Sequence, residues 1–249
     1  MSNENLSQGL QSFQVPGGNF GFTGMQIGDP TMAMEQTLYS LAVDESGSTL
    51  PFRTQMSGCT QEIIKSLRHS PRADNLMFRL THFGTGIREI HGFKTLQKCN
   101  VGDYANVFSS AGHTELYDAT LDISEATRIY AEKLANERYM SNGVLVVLTD
   151  GCDYGSIHTP KDVQQSFEQM VQGEMLESLM TILIGVNIED NHVKNELEKF
   201  KDKAGFTQFI AVKDASEKTM AKIADFISRS VSSQSQSLGS GGASQSLTF

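Results

Sequence analysis

An α/β fold with a doubly wound, mostly parallel sheet is what this sequence predicts, and three observations predict it. Strand and helix signals alternate from about residue 37 to about residue 230. Residues 144–148 (VLVVL) form a continuous aliphatic run, the mark of a central parallel strand covered on both faces. Asp44 and Asp150 each follow a strand-like run, and ligands of open α/β sheets bind beyond the carboxyl ends of the strands.

The elements follow in order. The run LYSLAV (38–43) is the first strand of the domain. Thr49-Leu50-Pro51 reads as a helix start, with Thr49 as cap and proline in the first turn. Phe52, Met56, Cys59, Ile63 and Leu67 continue at helical spacing, and Pro71 lies just beyond. Residues 75–82 and 87–96 read as two strands joined by a turn around Gly84-Thr85-Gly86. A long helix over 116–139 carries Ala119, Ile123, Ala126, Tyr130 and Leu134 on one face. After the aliphatic strand, Thr159-Pro160-Lys161-Asp162 opens another helix with a cap, a proline and an early acid. Residues 180–186 (MTILIGV) form a further buried strand, and Val193, Leu197, Phe200 and Ala204 make a helical stripe closed by Gly205. Residues 206–212 are the last strand, and a final helix turns Met220, Ile223, Phe226 and Ile227 inward.

This organisation gives one domain over 37–230. Residues 1–36, rich in Gly, Gln, Ser and Asn with Phe13, Phe20 and Phe22 scattered through them, read as an irregular leader that packs partly on the domain rather than as a folded unit. Residues 231–249 are mostly Ser, Gln, Gly and Ala and read as a flexible tail, because such a segment buries too little apolar area to offset its ordering entropy. Its last four residues, Ser246-Leu247-Thr248-Phe249, read either as a short docking peptide or as an incidental end.

With 249 residues, 39% hydrophobic and 20% charged, the chain has ample material for a core. A net charge of −9 and the absence of a basic stripe argue against a nucleic-acid partner. Cys59, Cys99 and Cys152 form no CxxC pair and no zinc spacing, which fits reduced thiols in a cytoplasmic protein. The first residues are polar and acidic, unlike a signal peptide, and no apolar run is long enough to span a membrane.

Three segments carry the chemistry. Asp44-Glu45-Ser46-Gly47-Ser48 places a carboxylate and two hydroxyls at the end of a strand. Gly112-His113-Thr114-Glu115-Leu116-Tyr117-Asp118-Ala119 is a loop leading into a helix, and Leu148-Thr149-Asp150-Gly151 ends a buried strand with an acid and a turn glycine. Such oxygens suit a hard cation. Taken singly, Asp44 and Asp150 read as turn or capping residues, and Ser46 and Ser48 as helix caps.

In order and position, Asp44, Ser46, Ser48, Thr114 and Asp150 resemble the metal-ion-dependent adhesion site of the von Willebrand factor A domain family. The wording around Thr114 and Asp150 looks most like intracellular bacterial members. The resemblance implies a Rossmann-like doubly wound sheet with one antiparallel edge strand and helices on both faces. It also implies roles: Ser46 and Ser48 coordinate the metal directly, Thr114 joins when ligand binds, and Asp44 and Asp150 act largely through water. The metal so implied is Mg²⁺, with Mn²⁺ or Ca²⁺ as other candidates. The implied partner is a protein presenting an Asp or Glu carboxylate, and family members often work with AAA+ ATPases or in stress-response systems.

Neighbouring residues are expected to be ordinary. Glu45 points to solvent, Asp118 is a first-turn helix acid, and Asp153 and Ser156 belong to a polar loop at the rim. His113 is an exposed loop histidine; His69, His82, His91, His158 and His192 lack any paired metal spacing. No GxSxG elbow, phosphate-binding GxxxxGK[ST] loop or GxGxxG turn occurs, and an aspartyl nucleophile would want an acid where Ser46 stands. A non-enzymatic, metal-dependent protein-binding adaptor is therefore expected. The alternatives are a metal-dependent phosphoesterase and a structural or RNA-associated member of the same family.

Overall fold

The computed structural model describes residues 6–15, 21–30, 32–109, 112–173, 175–240 and 248–249, with the backbone alone for 237–240. The central strand is β3 (Glu35–Asp44), preceded by two short strands, β1 (Gln11–Gln14) and β2 (Gly21–Gly24). Then come α1 (Arg53–Arg68), β4 (Leu76–Gly84), β5 (Gly86–Thr95), α2 (Leu116–Asn136) and β6 (Met140–Thr149). The chain continues with α3 (Pro160–Gln172), β7 (Ser178–Gly185), α4 (Asn191–Ala204), β8 (Gln208–Ala211) and α5 (Glu217–Ser240).

The sheet runs β1-β2-β5-β4-β3-β6-β7-β8. Strands β4, β3, β6, β7 and β8 are mutually parallel, and β5 returns antiparallel to β4. The doubly wound, mostly parallel sheet is as the sequence predicts, with its antiparallel part at one edge. β3 is buried along its length because α1 and α5 pack on one face and α2, α3 and α4 on the other. This double cover explains why β6 reads as an uninterrupted aliphatic run.

Local signals behave as their chemistry demands. Thr159 and Asp162 form a reciprocal capping box at the start of α3. Gly205 ends α4 at φ +79°, a left-handed conformation that glycine adopts without steric cost. The helix start expected at Thr49 falls later: Thr49 does not cap α1 but lies inside a 3₁₀ helix over Gly47–Phe52, its hydroxyl donating to the Ser46 carbonyl at 2.8 Å, so α1 itself begins at Arg53.

Two expectations are corrected. The leader is not wholly irregular: β1 and β2 form an antiparallel hairpin, and Gly24 of β2 pairs parallel with Phe93 of β5. Its aromatic residues supply the reason. Phe13 stacks on Phe22 at 5.2 Å, both stand edge-on to Tyr130, and Phe93 stacks on Tyr130 at 4.8 Å. Thr23 donates from its N–H (2.9 Å) and hydroxyl (2.6 Å) to Glu89, which also accepts from the buried Arg79 at 2.9 Å.

The second correction concerns 231–240, expected within the tail, which continue α5 to Ser240. Polar partners hold this part of the helix: the Gln234 carbonyl accepts from Asn142 at 2.7 Å, and Ser235 accepts from Arg72 at 3.2 Å. The expectations for 1–5, 16–20, 31 and 241–247, including Ser246 and Leu247, lie outside the described residues. Phe249 stands edge-on to Phe226 at 5.7 Å. No helix among the described residues is long and apolar enough to cross a membrane.

Candidate functional site

The chain reverses its winding direction between β3 and β6. From β3 it crosses through α1 to β4 on one side; from β6 it crosses through α3 to β7 on the other. The loops leaving β3 and β6 therefore diverge and open a crevice at their carboxyl ends. Asp44 ends β3, and Asp150 directly follows β6.

Four of the five predicted residues form one hydrogen-bonded chain. Asp44 Oδ1 accepts from the Ser46 N–H at 2.8 Å. The Ser48 hydroxyl donates to Asp150 Oδ1 at 2.9 Å, so its own oxygen is left to accept from the Ser46 hydroxyl at 3.0 Å. Burial grades the site from floor to mouth: Asp44 and Ser46 are buried, Asp150 is half-buried and Ser48 is exposed.

Thr114 arrives on a separate loop. The Gly112 carbonyl accepts from the Gly47 N–H at 3.3 Å, tying this loop to the Asp44 turn. Gly112 has φ +88°, and a Cβ there would clash with the Thr85 hydroxyl, so both conformation and space call for glycine. His113 N–H donates to Thr85 Oγ1 at 2.9 Å, and Glu115 N–H donates to the Gly84 carbonyl at 3.2 Å. Thr114 is buried, yet its hydroxyl makes no hydrogen bond with any described residue. It is the one member of the five whose side chain is not bonded to the others.

Sequence reasoning missed Thr149. Its hydroxyl donates to Asp44 Oδ2 at 2.7 Å and accepts from the Gly151 N–H at 3.2 Å, so both Asp44 oxygens are held. The signal available was its position, one residue before Asp150 at the end of a buried strand. The electrostatics are tense. Burial pushes the Asp44 carboxyl above its ordinary range, against hydrogen bonds from Ser46 and Thr149 that pull it down. Burial, and then the neighbouring Asp44 charge, push Asp150 up to about 6.

Glu45 overturns its expectation. It is buried and accepts from Arg88 Nε (3.0 Å) and Nη2 (2.6 Å), His82 Nδ1 (3.1 Å), and the N–H and hydroxyl of Ser109 (3.1 Å each). Burial alone would raise this carboxyl, but hydrogen bonds from His82 and Arg88 hold it down near 2. Burial lowers the His82 pKa, against the adjoining Glu45 carboxylate that pulls it up. Consecutive strand residues point to opposite faces, so an acid beside Asp44 cannot share its crevice. Glu45 meets instead the side chains of the neighbouring strands β4 and β5.

The remaining candidates are structural. Asp153 Oδ1 and Ser156 Oγ each accept from the Tyr117 N–H at 3.1 Å, satisfying the first turn of α2. Asp118 accepts from the Ile157 N–H (3.0 Å), the His158 N–H (2.9 Å) and His158 Nδ1 (2.8 Å). Cys152 is partly exposed and its thiol is pushed up by burial, the opposite of an activated thiol. Among the described residues no group of three or more His, Cys, Asp or Glu side chains is placed to hold a metal.

A family model for the von Willebrand factor type A domain matches residues 40–229, well over half of the chain. The chain belongs to the von Willebrand factor type A domain family. Domains of this family commonly serve protein interactions. Solved structures with the same fold include a mutant of the PilB minor pilin from Streptococcus sanguinis, 14% identical with a TM-score of 0.58 over 86% of this chain. The pilus adhesin SpaC from Lactobacillus rhamnosus GG is 10% identical, with a TM-score of 0.56 over 80% of this chain. Proximal thread matrix protein 1 from the mussel byssus is 19% identical, with a TM-score of 0.53 over 79%. This chain spans 65%, 30% and 48% of those three chains. At such identities the likeness is one of fold. No curated protein matches the chain.

Proposed function

We propose that this domain is a non-enzymatic binding module that recognises an acidic side chain of a partner protein through a divalent cation, with Mg²⁺ the best fit. The observation that carries this is the chain Asp44–Ser46–Ser48–Asp150 at the switch point, with the unbonded Thr114 hydroxyl on the adjoining loop. Every donor is a hard oxygen, as a hard dication requires. Two carboxylates raised by burial, with Asp150 raised further by the Asp44 charge, form a site that a cation would relieve.

In this reading Ser46 and Ser48 offer neutral oxygens directly and Thr114 joins them when the partner's carboxylate binds, while Asp44 and Asp150 hold and orient water. When bound, the cation supplies a Lewis-acidic position that a partner's carboxylate can occupy. Thr149 fixes the Asp44 carboxylate from behind. The Glu45–Arg88–His82 cluster locks the backbone on which Asp44 and Ser46 sit. A bacterial adaptor serving an AAA+ ATPase in the cytoplasm is the setting that the family resemblance offers.

Thermal unfolding with and without Mg²⁺ tests the proposal. Mg²⁺ raises the melting temperature of the wild type by mass action, and the Asp44→Ala/Asp150→Ala double variant loses that rise. An equal rise in the double variant places the cation elsewhere. Hydrolysis of phosphoesters that vanishes on Asp44→Ala contradicts the non-enzymatic part.

A further inference from the structure

Half of the large apolar side chains left in water lie at one end of the sheet. Among the described residues eight such side chains are exposed, and four of them (Leu50, Ile87, Tyr154 and Ile157) sit at the carboxyl end of the sheet. Leu50 shares a 3₁₀ turn with Ser48, and Ile87 follows the hairpin turn that is bonded to the Thr114 loop. Tyr154 and Ile157, on the loop after Asp150, are the two most exposed of the eight, at 67% and 84%.

The loop that presents them is firmly held. The Tyr154 main chain exchanges two hydrogen bonds with Thr114, at 3.2 and 2.8 Å, and its ring stands edge-on to His113 at 4.8 Å. Ile157 is anchored by its N–H on Asp118. Capping of α2 accounts for Asp153 and Ser156, and Asp118 holds the loop through the Ile157 and His158 N–H groups, but neither makes use of the two apolar side chains; a serine at 157 would offer the same N–H. Holding large apolar groups rigidly in water brings the fold nothing. It lowers the ordering cost of a contact with another molecule, and tyrosine is favoured at such contacts.

We propose that Tyr154 and Ile157 are the apolar half of the partner-binding face. The partner is then a protein segment carrying an aspartate or glutamate with a bulky aliphatic or aromatic residue within a few positions of it. This rests on the metal-dependent carboxylate recognition proposed above. The acid would enter beside Ser48 and Thr114, and the apolar neighbour would cover the Tyr154–Ile157 loop.

An array of synthetic peptides tests it. Each peptide carries one glutamate in a glycine–serine background, with Leu, Ile or Phe placed nearby; controls lack the glutamate or lack the apolar residue. The full chain is applied in Mg²⁺ or in EDTA. Peptides with both features are retained in Mg²⁺ and released in EDTA. The Tyr154→Ser/Ile157→Ser variant binds them about tenfold more weakly or worse, yet keeps the wild-type thermal shift with Mg²⁺. Undiminished binding by that variant overturns the apolar half alone, as does binding of glutamate peptides regardless of their apolar neighbour. So does failure to retain any peptide when the Mg²⁺ shift is intact. Absence of the Mg²⁺ shift in the wild type overturns the metal site itself, and this inference with it.

Discussion

Replacing Asp150 with asparagine separates two roles of that residue, because the metal-free protein is expected to gain stability from the change. In the cation-free fold the Asp150 carboxyl lies near 6, raised from 3.8 by burial and by Asp44. The folded state therefore keeps its proton to higher pH than the unfolded chain does. The sign follows from linkage: the contribution is fully present below about pH 4 and is lost as pH rises through about 6. A displacement from 3.8 to about 6 corresponds to about 3 kcal/mol at roughly 1.36 kcal/mol per pH unit. Asp150 is partly open to water, and screening brings this to about 2 kcal/mol. Asparagine keeps an oxygen for the Ser48 hydroxyl and removes the charge. Thermal unfolding in EDTA at pH 7.5 should show the variant melting about 4–8 °C higher than wild type. Near pH 4 the two should converge. In Mg²⁺ at pH 7.5 the order should narrow or reverse, because only the wild type gains from the ion. A variant that melts lower than wild type in EDTA at pH 7.5 contradicts the carboxylate repulsion described here.

Three further outcomes are expected. Ser48→Ala abolishes Mg²⁺-dependent binding of acidic peptides while changing stability in EDTA by no more than about 1 kcal/mol, since an exposed hydroxyl is lost; retained binding in a pull-down counts against Ser48 as a ligand. Glu45→Gln destabilises the domain by about 2–4 kcal/mol in urea titration, because Arg88 and His82 lose their buried carboxylate; a change below about 0.5 kcal/mol would show that the cluster contributes little. Gly112→Ala, which forces a Cβ against Thr85 at positive φ, weakens Mg²⁺-dependent binding of acidic peptides by moving the Thr114 loop; unaltered binding removes Thr114 from the ligand set.

The sheet was legible because its strands are long, aliphatic and separated by capped helices. The run 144–148, the Thr159/Asp162 box and Gly205 each carry a local cause that tertiary contacts reinforce. Asp44 and Asp150 stand out only in combination with Ser46, Ser48 and Thr114, since each acid taken singly reads as a turn or capping residue. The strands β1 and β2 were hidden: each has four residues, and their pairing depends on Phe93, Tyr130 and Glu89, far along the chain. The end of α5 misled through composition, since Gln234 and Ser235 are satisfied by Asn142, Ser178 and Arg72 rather than by water. Glu45 misled because nothing local announces that residues 82, 88 and 109 converge on it. Thr149 showed the converse, a residue in plain view whose role depends on which oxygen it reaches.

Titration of Mn²⁺ into the metal-free protein, followed by calorimetry or by loss of the free-ion paramagnetic signal, tests the central claim most directly. One Mn²⁺ should bind per chain, be displaced by Mg²⁺, and weaken as pH falls through about 6, where Asp150 takes up its proton. The Asp44→Ala/Asp150→Ala variant should bind none at the same concentrations. Absence of binding by the wild type, or equal binding by the double variant, would contradict a cation site built from Asp44, Ser46, Ser48, Thr114 and Asp150.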